Sequence, residues 1–347
     1  MKDIKLTQVV KCAGCAAKLP PAFLSAAVKG IDWPSSDKVI QDMSGNEDSG
    51  VFALNNTEAL VQTTDFFTPV VDDPYLFGQI AVTNALSDIY AMGASPLSAL
   101  NLVCYPEDLG VEVLHEILRG GASKAGEANC PIIGGHSVSA PELKYGIAVT
   151  GKALIKQIRY NSGARPGDLV ILTKALGTGI LNTAIKRGEL SEDNYSRLTK
   201  SMVRLNDDAG ALLKDYDVGG VTDVTGFSLM GHGMELAKAS KIKLKFYASQ
   251  LPILAGALEA AEQGHITRGD VSNRKYTDGF TEIGRVSNTI QQICYDPQTS
   301  GGLLITVKPS DAQKLLLNLQ KFYPQSSMIG ECRPLENNQP PMVFLNK

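Results

Sequence analysis

The sequence has little charge and almost no surplus of either sign. Its 347 residues include 33 Lys and Arg against 36 Asp and Glu, which gives a formal net charge of −3 and a pI of about 5.9. A chain without a basic surplus offers no general surface for a nucleic-acid backbone, so any polyanion must be bound locally. The hydrophobic content of 44% excludes a disordered chain, because it is enough to build large cores.

Cysteine and long apolar runs are also scarce. Most of the six cysteines stand inside apolar segments, which predicts reduced thiols rather than a disulfide framework. The longest uncharged stretch, from Ile89 to Pro106, is interrupted by glycine, serine and proline, and the first residues show no signal-peptide pattern. We therefore expect a cytoplasmic protein with no membrane span and no nucleic-acid partner.

The length is about twice that of a typical domain, and strand and helix patterns alternate through both halves. These observations predict two α/β domains. The polar segment "RYNSGARPGD", from Arg159 to Asp168, is the expected boundary, with an N-terminal domain at 21–158 and a C-terminal domain at 159–347. Within the first domain, "ALVQTTDFF" has the alternation of a strand, "PYLFGQIAVTNALSDIYAMGA" has helical spacing, and "PLSALNLVCY" reads as a buried strand.

Four aspartates stand at the edges of apolar segments. They are Asp48, Asp65, Asp88 and Asp223. Carboxylates at the ends of strands and helices can converge in the folded chain, and oxygen ligands that meet there favour Mg²⁺ shared with substrate phosphates. The alternative is helix capping and turn formation, which explains many isolated aspartates.

Glycine-rich turns form a second group of candidate residues. The segments are "IIGGHSV" (Gly134, Gly135, His136, Ser137), "ALGTGIL" and "DPQTSGGLL". Consecutive main-chain N–H groups in such turns can bind phosphate oxygens, although each segment could equally be an ordinary turn. The chain has neither a G-x-x-x-x-G-K-[ST] loop nor a complete dinucleotide fingerprint, so a nucleotide would bind in another way.

The N-terminal segment "KCAGCAAK" holds a third candidate. Cys12 and Cys15 have C-x-x-C spacing, and Lys18 can lower the pKa of a nearby thiol and so favour a reactive thiolate. The absence of a second cysteine pair at zinc-finger spacing disfavours a structural zinc site. A redox motif and a terminal tail with incidental cysteines remain the alternatives.

Together, "AGCAAK", "TTDFF", "TNALSDIYAMG", "GGHSV", "TDVTGFSLMGH" and "DPQTSGGLL" resemble the selenophosphate synthetase (selenide, water dikinase) family over nearly the whole chain. The resemblance implies the two-domain α/β fold of aminoimidazole ribonucleotide synthetase. It also implies an N-terminal domain that forms a β-barrel across a homodimer, and a mobile catalytic segment at 1–20 that closes as a lid. The implied reaction is ATP + selenide + water → selenophosphate + AMP + phosphate, which supplies selenium for selenocysteine and selenouridine.

The resemblance also assigns roles to residues. Cys15 and Lys18 fall on the essential cysteine and lysine, with Lys18 also contacting ATP. The implied metal ligands are Asp48, Asp88 and Asp223. The implied ATP-binding residues are Asp65, Asp88, Gly134, Gly135, His136 and Ser137. The cofactor is Mg²⁺, with room for a monovalent cation such as K⁺, and a transient selenium-delivery protein is a conceivable partner.

Two departures from the family leave points open. Ala16 and Ala17 separate Cys15 from Lys18, so Cys12 is either a resolving thiol or incidental, and Glu47 is a further candidate metal ligand. The alternatives in function are another ATP-using enzyme of the same fold, such as a thiamine-monophosphate kinase, and a non-catalytic selenium- or nucleotide-binding relative.

Overall fold

The fold consists of two sheets, each built from one half of the chain. A computed structural model describes residues 5–10, 14, 21–42, 47–336, 340 and 342–347. The strands are β1 (Val39–Gln41), β2 (Gly50–Ala53), β3 (Glu58–Phe67), β4 (Ser95–Tyr105), β5 (Ile132–Ser139), β6 (Lys144–Leu154), β7 (Leu169–Leu172), β8 (Val218–Asp223), β9 (Lys243–Tyr247), β10 (Thr281–Ile283), β11 (Leu303–Val307), β12 (Ser327–Arg333) and β13 (Met342–Asn346). The helices are α1 (Pro21–Val28), α2 (Pro74–Ala91), α3 (Val111–Glu127), α4 (Thr178–Arg187), α5 (Glu192–Val203), α6 (Asp207–Leu212), α7 (Ser228–Ser240), α8 (Ala257–Glu262), α9 (Arg268–Tyr276), α10 (Asn288–Tyr295) and α11 (Pro309–Leu319).

The first sheet has the strand order β1-β2-β3-β6-β4-β5, and only its outer pair, β4 and β5, is parallel. Helix α2 packs on β3 and β6, and α3 packs on α2. On the opposite face many side chains are exposed, as the alternating burial along β3 shows. The prediction that "PLSALNLVCY" is a buried strand is therefore wrong in part, because β4 is covered on one face only and several of its side chains are exposed.

The second sheet has the strand order β10-β13-β9-β12-β7-β11-β8. Its β8 edge, where Asp223 is the last residue, packs against α2 of the first half. The larger of two apolar cores in the described chain runs through both halves, from Leu6 to Leu345, and a smaller one lies around β11 and α11. No helix of the described residues combines the length and apolar character needed to cross a bilayer.

Helix α2 is the element that both halves share. Its N-terminus is fixed by the side chain of Asp73, which accepts a hydrogen bond from the Leu76 N–H at 2.7 Å, and by Pro74 in the first turn. From Phe77 onward almost every residue is buried, because α2 contacts β3 and α3 on one side and α5, α6 and β8 on the other. The polar residues Asn84 and Ser87 are thus held inside the protein, where each needs a hydrogen-bond partner.

Helices α2 and α3 approach closely through glycine. A Cβ atom placed on Gly120 would lie 1.9 Å from the main-chain oxygen of Tyr75, and one on Gly78 would lie 2.0 Å from that of Ile117. Both obstacles are main-chain atoms, so no side-chain rotation can relieve the overlap.

We expect Gly120→Ala to lower the free energy of unfolding by about 2 kcal/mol or more, because the helices must move apart to admit the methyl group. Gly126→Ala is the matched control on the same helix. Nothing lies within 4 Å of a Cβ at Gly126, so the higher helix propensity of alanine should raise stability slightly. Urea denaturation measures both changes, and similar effects of the two substitutions would contradict this packing.

Candidate active site

Three of the four predicted aspartates converge between the two halves of the chain. Asp48 lies two residues before β2, Asp88 lies in the last turn of α2, and Asp223 ends β8. One carboxylate oxygen from each lies within 4.8 Å of the other two. The prediction that separate segments bring carboxylates together is confirmed for these three residues.

Two threonines fix the orientation of this cluster. The Thr63 hydroxyl donates to Asp88 Oδ2 at 2.6 Å, and the Thr222 hydroxyl donates to Asp48 Oδ1 at 2.8 Å. Sequence reasoning missed both. A signal was available, since Thr63 stands two residues before Asp65 on one strand and Thr222 is the neighbour of Asp223.

The cluster is electrostatically strained without a cation. Burial, followed by the charges of Asp223 and Asp88, raises the pKa of Asp48 well above its ordinary value. Asp48 Oδ2 is buried and accepts no hydrogen bond from the described residues. An all-oxygen ligand set with an unsatisfied carboxylate atom fits a hard divalent cation such as Mg²⁺.

Glu47 lies beside the cluster but is held by the second half of the chain. Its Oε2 accepts a hydrogen bond from the Asn161 N–H at 2.7 Å. Burial nevertheless raises the pKa of Glu47 to about 7, outweighing the main-chain hydrogen bonds from Asn161 and Ser162, which act in the opposite direction. Together with the Thr222–Asp48 bond, this contact secures the segment 47–48 to the second half of the chain.

Asp65 lines the same cleft as the three clustered aspartates, but its side chain has a partner outside that cluster. Asn84 on α2 donates to Asp65 Oδ2 at 2.5 Å and accepts from the Ser300 N–H at 2.8 Å. The three-carboxylate cluster among the described residues does not include Asp65. Asn84, which sequence reasoning left without a definite role, therefore connects Asp65 to the "DPQTSGG" segment.

The cleft has a volume of about 440 Å³ and a second polar wall. His232 Nε2 lies 3.3 Å from the Thr225 hydroxyl oxygen, and His232 Nδ1 lies 3.3 Å from a carboxylate oxygen of Glu235. Tyr276 donates to the other oxygen of Glu235 at 2.7 Å. The volume falls in the range of small-molecule sites. Among the described residues, the candidate metal ligands are the three aspartates and include no histidine.

Two of the glycine-rich segments bind each other instead of facing the cleft. The N–H groups of Gly179 and Ile180, at the start of α4, donate to Asp296 Oδ2 at 2.9 and 3.0 Å. Gln298 Oε1 accepts from the N–H groups of Gly177 and Thr178. The interpretation of "ALGTGIL" as a phosphate-binding turn is therefore wrong, because its donors are already paired within the protein.

The third glycine-rich segment is also not a turn. Gly134, Gly135, His136 and Ser137 lie within strand β5, the exposed edge of the first sheet. The reason is local: Gly135 approaches β4 so closely that a Cβ atom would lie 2.5 Å from the Asn101 main-chain oxygen. None of the four residues lines the acidic cleft of its own chain.

The predicted catalytic residues Cys15 and Lys18, together with Cys12, lie outside the described residues. Gly14 is described, and its N–H donates to the main-chain oxygen of Thr68 at 3.1 Å. Its φ of +59° and the closeness of Val70, whose Cγ1 would lie 2.4 Å from an added Cβ, both require glycine here. Gly14 therefore contacts the segment that follows β3, the strand that carries Asp65.

Both halves of the chain match models of one protein family. Residues 46–153 match "AIR synthase related protein, N-terminal domain" and residues 165–336 match "AIR synthase related protein, C-terminal domain". The two-domain α/β fold implied by the sequence motifs is thus confirmed, and the chain has the architecture of the AIR synthase-related proteins.

Close relatives define the family more narrowly. The chain is 40% identical over 344 residues to the selenide, water dikinase of Clostridium botulinum (strain Alaska E43 / Type E3), covering 99% of each chain. It is 44% identical to that of Pelobacter propionicus, covering 96% of this chain and 97% of the relative. The chain belongs to the selenide, water dikinase family, as its motifs predicted, and is therefore an enzyme of the kinase class.

Solved structures with the same fold are more distant in sequence. The structure described as "AaThiL complexed with AMPPCP and TMP" is 20% identical with a TM-score of 0.67, covering 93% of this chain and 91% of that one. The hydrogenase maturation protein HypE in complex with ATP is 18% identical with a TM-score of 0.64, covering 85% and 83%. At these identities the likeness shows the fold alone.

The strain at Asp48 predicts a pH-dependent effect in protein freed of cations with EDTA. The pKa of Asp48 is higher in the folded than in the unfolded chain. The protein is therefore most stable at pH values below the unfolded-state pKa of Asp48, and it loses stability as the pH rises toward the folded-state pKa. Asp48→Asn should not show this loss of stability, because asparagine cannot ionise. The free energy of unfolding of Asp48→Asn minus that of wild type should therefore be larger at about pH 8 than at about pH 5.

Urea denaturation at both pH values measures this difference, with exposed Asp278→Asn as the control. Equal differences at the two pH values would show that Asp48 is not strained.

Proposed function

We propose that this chain makes selenophosphate at the acidic cleft, by the reaction ATP + selenide + water → selenophosphate + AMP + phosphate. The observation that carries the proposal is the convergence of Asp48, Asp88 and Asp223 within 4.8 Å, in a chain that belongs to the selenide, water dikinase family. Three carboxylates repel a triphosphate unless a cation lies between the carboxylates and the phosphates. The cluster therefore fits an enzyme whose substrate is a metal–nucleotide complex.

Asp48, Asp88 and Asp223 would hold the Mg²⁺, which when bound screens the phosphate charges and polarises the phosphoryl group. Thr63 and Thr222 keep two of these carboxylates in fixed orientations, so little reorganisation is needed when the nucleotide arrives. Asp65, positioned by Asn84, faces the same cleft and would contact ATP or its metal. A bound K⁺ ion is compatible with the same oxygen-rich site.

Cys15 and Lys18 are proposed as the residues that act on selenide and on the transferred phosphoryl group. A thiolate suits selenide because both are soft nucleophiles, and the Lys18 ammonium would stabilise charge on the transferring phosphoryl. Support comes from Gly14, the residue before Cys15. The Gly14 N–H donates a hydrogen bond to the main-chain oxygen of Thr68, which lies three residues after Asp65. A segment closing here would exclude water during transfer to selenide.

Selenide-dependent release of AMP tests the proposal. We expect wild type to form AMP and selenophosphate, followed by phosphorus NMR, and Asp223→Asn to lose about 100-fold or more in rate because a metal ligand is gone. Cys15→Ser should abolish selenophosphate formation while Mg²⁺–ATP still binds, and exposed Asp278→Asn should behave as wild type. ADP as the final product would instead support a kinase of the thiamine-monophosphate type, and full activity of Cys15→Ser would remove its proposed role.

A homodimer is proposed from the uncovered face of the first sheet. Strand pairing aligns Phe66 with Gly146, Gly146 with Leu102, and Leu102 with His136, in one row across the sheet. Phe66 and Leu100 are each 44% exposed on this face, and Ile133 on the free edge is 69% exposed. Such apolar exposure beside an unpaired strand edge favours a second copy as the covering partner, with the two sheets forming the barrel.

This dimer also bears on the proposed ATP contacts of Gly134, Gly135, His136 and Ser137. They do not line the cleft of their own chain. Their contact with nucleotide would therefore depend on the arrangement of β5 in the pair of chains.

We expect Leu100→Glu to shift the protein toward monomer, because a carboxylate would have to be buried at the interface. Val111→Glu, on helix α3 at a position 72% exposed, is the control. Light scattering coupled to size-exclusion chromatography gives the mass of each variant. A wild-type mass of one chain, or an unchanged dimer in Leu100→Glu, would contradict this interface.

A further inference from the structure

A second cleft, of about 410 Å³, lies in the C-terminal half of the chain and shares no lining residue with the acidic cleft. Its walls come from the end of β7, from α5, and from the segments around Leu254 and Phe322. No part of the mechanism proposed above uses it. Its volume is that of a small-molecule site.

The charges that line this cleft are all positive. Arg197, Lys200 and Arg204 follow one another at three- and four-residue spacing and so share one face of α5 and its C-terminal cap, with Lys174 opposite them. No Asp or Glu is among the lining residues. In a chain with a net charge of −3, this is a local reversal of sign.

Part of this charge has another explanation. Basic residues near a helix C-terminus interact favourably with the helix dipole. In addition, Arg197 pairs with Asp193 at 2.9 Å, and Arg204 pairs with Asp208. Lys200, however, has no ion pair among the described residues, and helix stability gives no reason for a lysine on the facing wall.

That facing lysine is Lys174, and it is buried. Its Nζ donates to the main-chain oxygens of Arg204 at 2.5 Å and of Ser300 at 3.0 Å. Burial lowers the pKa of Lys174 to about 7, although the charges of Asp223 and Asp207 act in the opposite direction. Carbonyl oxygens orient the ammonium but do not neutralise it, so a bound anion would stabilise its charged form.

The remaining wall is apolar and aromatic. The Arg204 guanidinium lies 5.0 Å from the centre of the Tyr323 ring, and the adjacent Phe322 is 43% exposed. Leu254 and Pro324 complete this side. A flat apolar surface next to a cationic rim suits a ligand that has both a ring and a phosphate group.

We propose that this cleft binds a ring-bearing organic phosphate of the nucleoside monophosphate class. The phosphate lies among Lys174, Lys200 and Arg204, and the ring lies against Phe322. The site is separate from the acidic cleft and needs no divalent cation, since its own side chains supply the positive charge.

AMP binding to the full chain in EDTA, measured by calorimetry, tests the proposal. We expect Lys200→Glu to weaken AMP binding about tenfold, because it replaces an attraction to phosphate by a repulsion. Phe322→Ala should weaken AMP binding by about threefold or more through loss of the ring contact. Lys275→Glu, the same charge change at an exposed position of α9, should leave AMP binding unchanged. Inorganic phosphate should bind more weakly than AMP.

Equal AMP affinity in wild type and Lys200→Glu would overturn the proposal, as would no AMP binding in EDTA, or phosphate binding as tight as that of AMP. Preference for an acidic peptide over AMP would overturn it as well. Selenide-dependent AMP release by Lys200→Glu should match wild type. If Lys200→Glu retains selenide-dependent AMP release, a negative AMP-binding result concerns this cleft alone and not the proposed reaction.

Discussion

The mutual repulsion of Asp48, Asp88 and Asp223 is the constraint around which the molecule is organised. Three carboxylates within 4.8 Å of one another oppose folding unless the surroundings hold them in place. The hydroxyls of Thr63 and Thr222 do so directly, and the continuous core behind them gives the mechanical support. The folded chain thus stores an electrostatic cost at one point, as is common at functional sites.

Helix α2 explains how two halves of a chain can share one site. It is buried on nearly all sides, and it presents Asp88 toward β8 and Asn84 toward Asp65 and Ser300. Each half therefore supplies groups that the other lacks. The two halves of the chain therefore complete the acidic cleft together.

The sequence was sufficient for the parts of the structure that depend on local pattern. Strand β3 and helix α2 follow directly from their hydrophobic spacing, and the acidic cluster follows from aspartates placed at element ends. The partners of those aspartates could not be predicted, because Thr63 and Thr222 act through contacts between distant segments. The roles of the glycines were ambiguous for the same reason. Gly135 allows β5 to approach β4 closely, and the Gly177 N–H binds Gln298, and neither contact can be inferred from the local sequence.

The closure of the α4 N-terminus by Asp296 and Gln298 has a consequence for how the protein handles phosphate. Many nucleotide-binding folds hold phosphate with the free N–H groups of a helix start, which work without any ion. Here that position is filled by the chain's own carboxylate, so this helix start cannot hold the triphosphate. Under the proposed function, ATP would therefore be recognised at the acidic cleft together with its cation, so that nucleotide and cation would act as a single substrate.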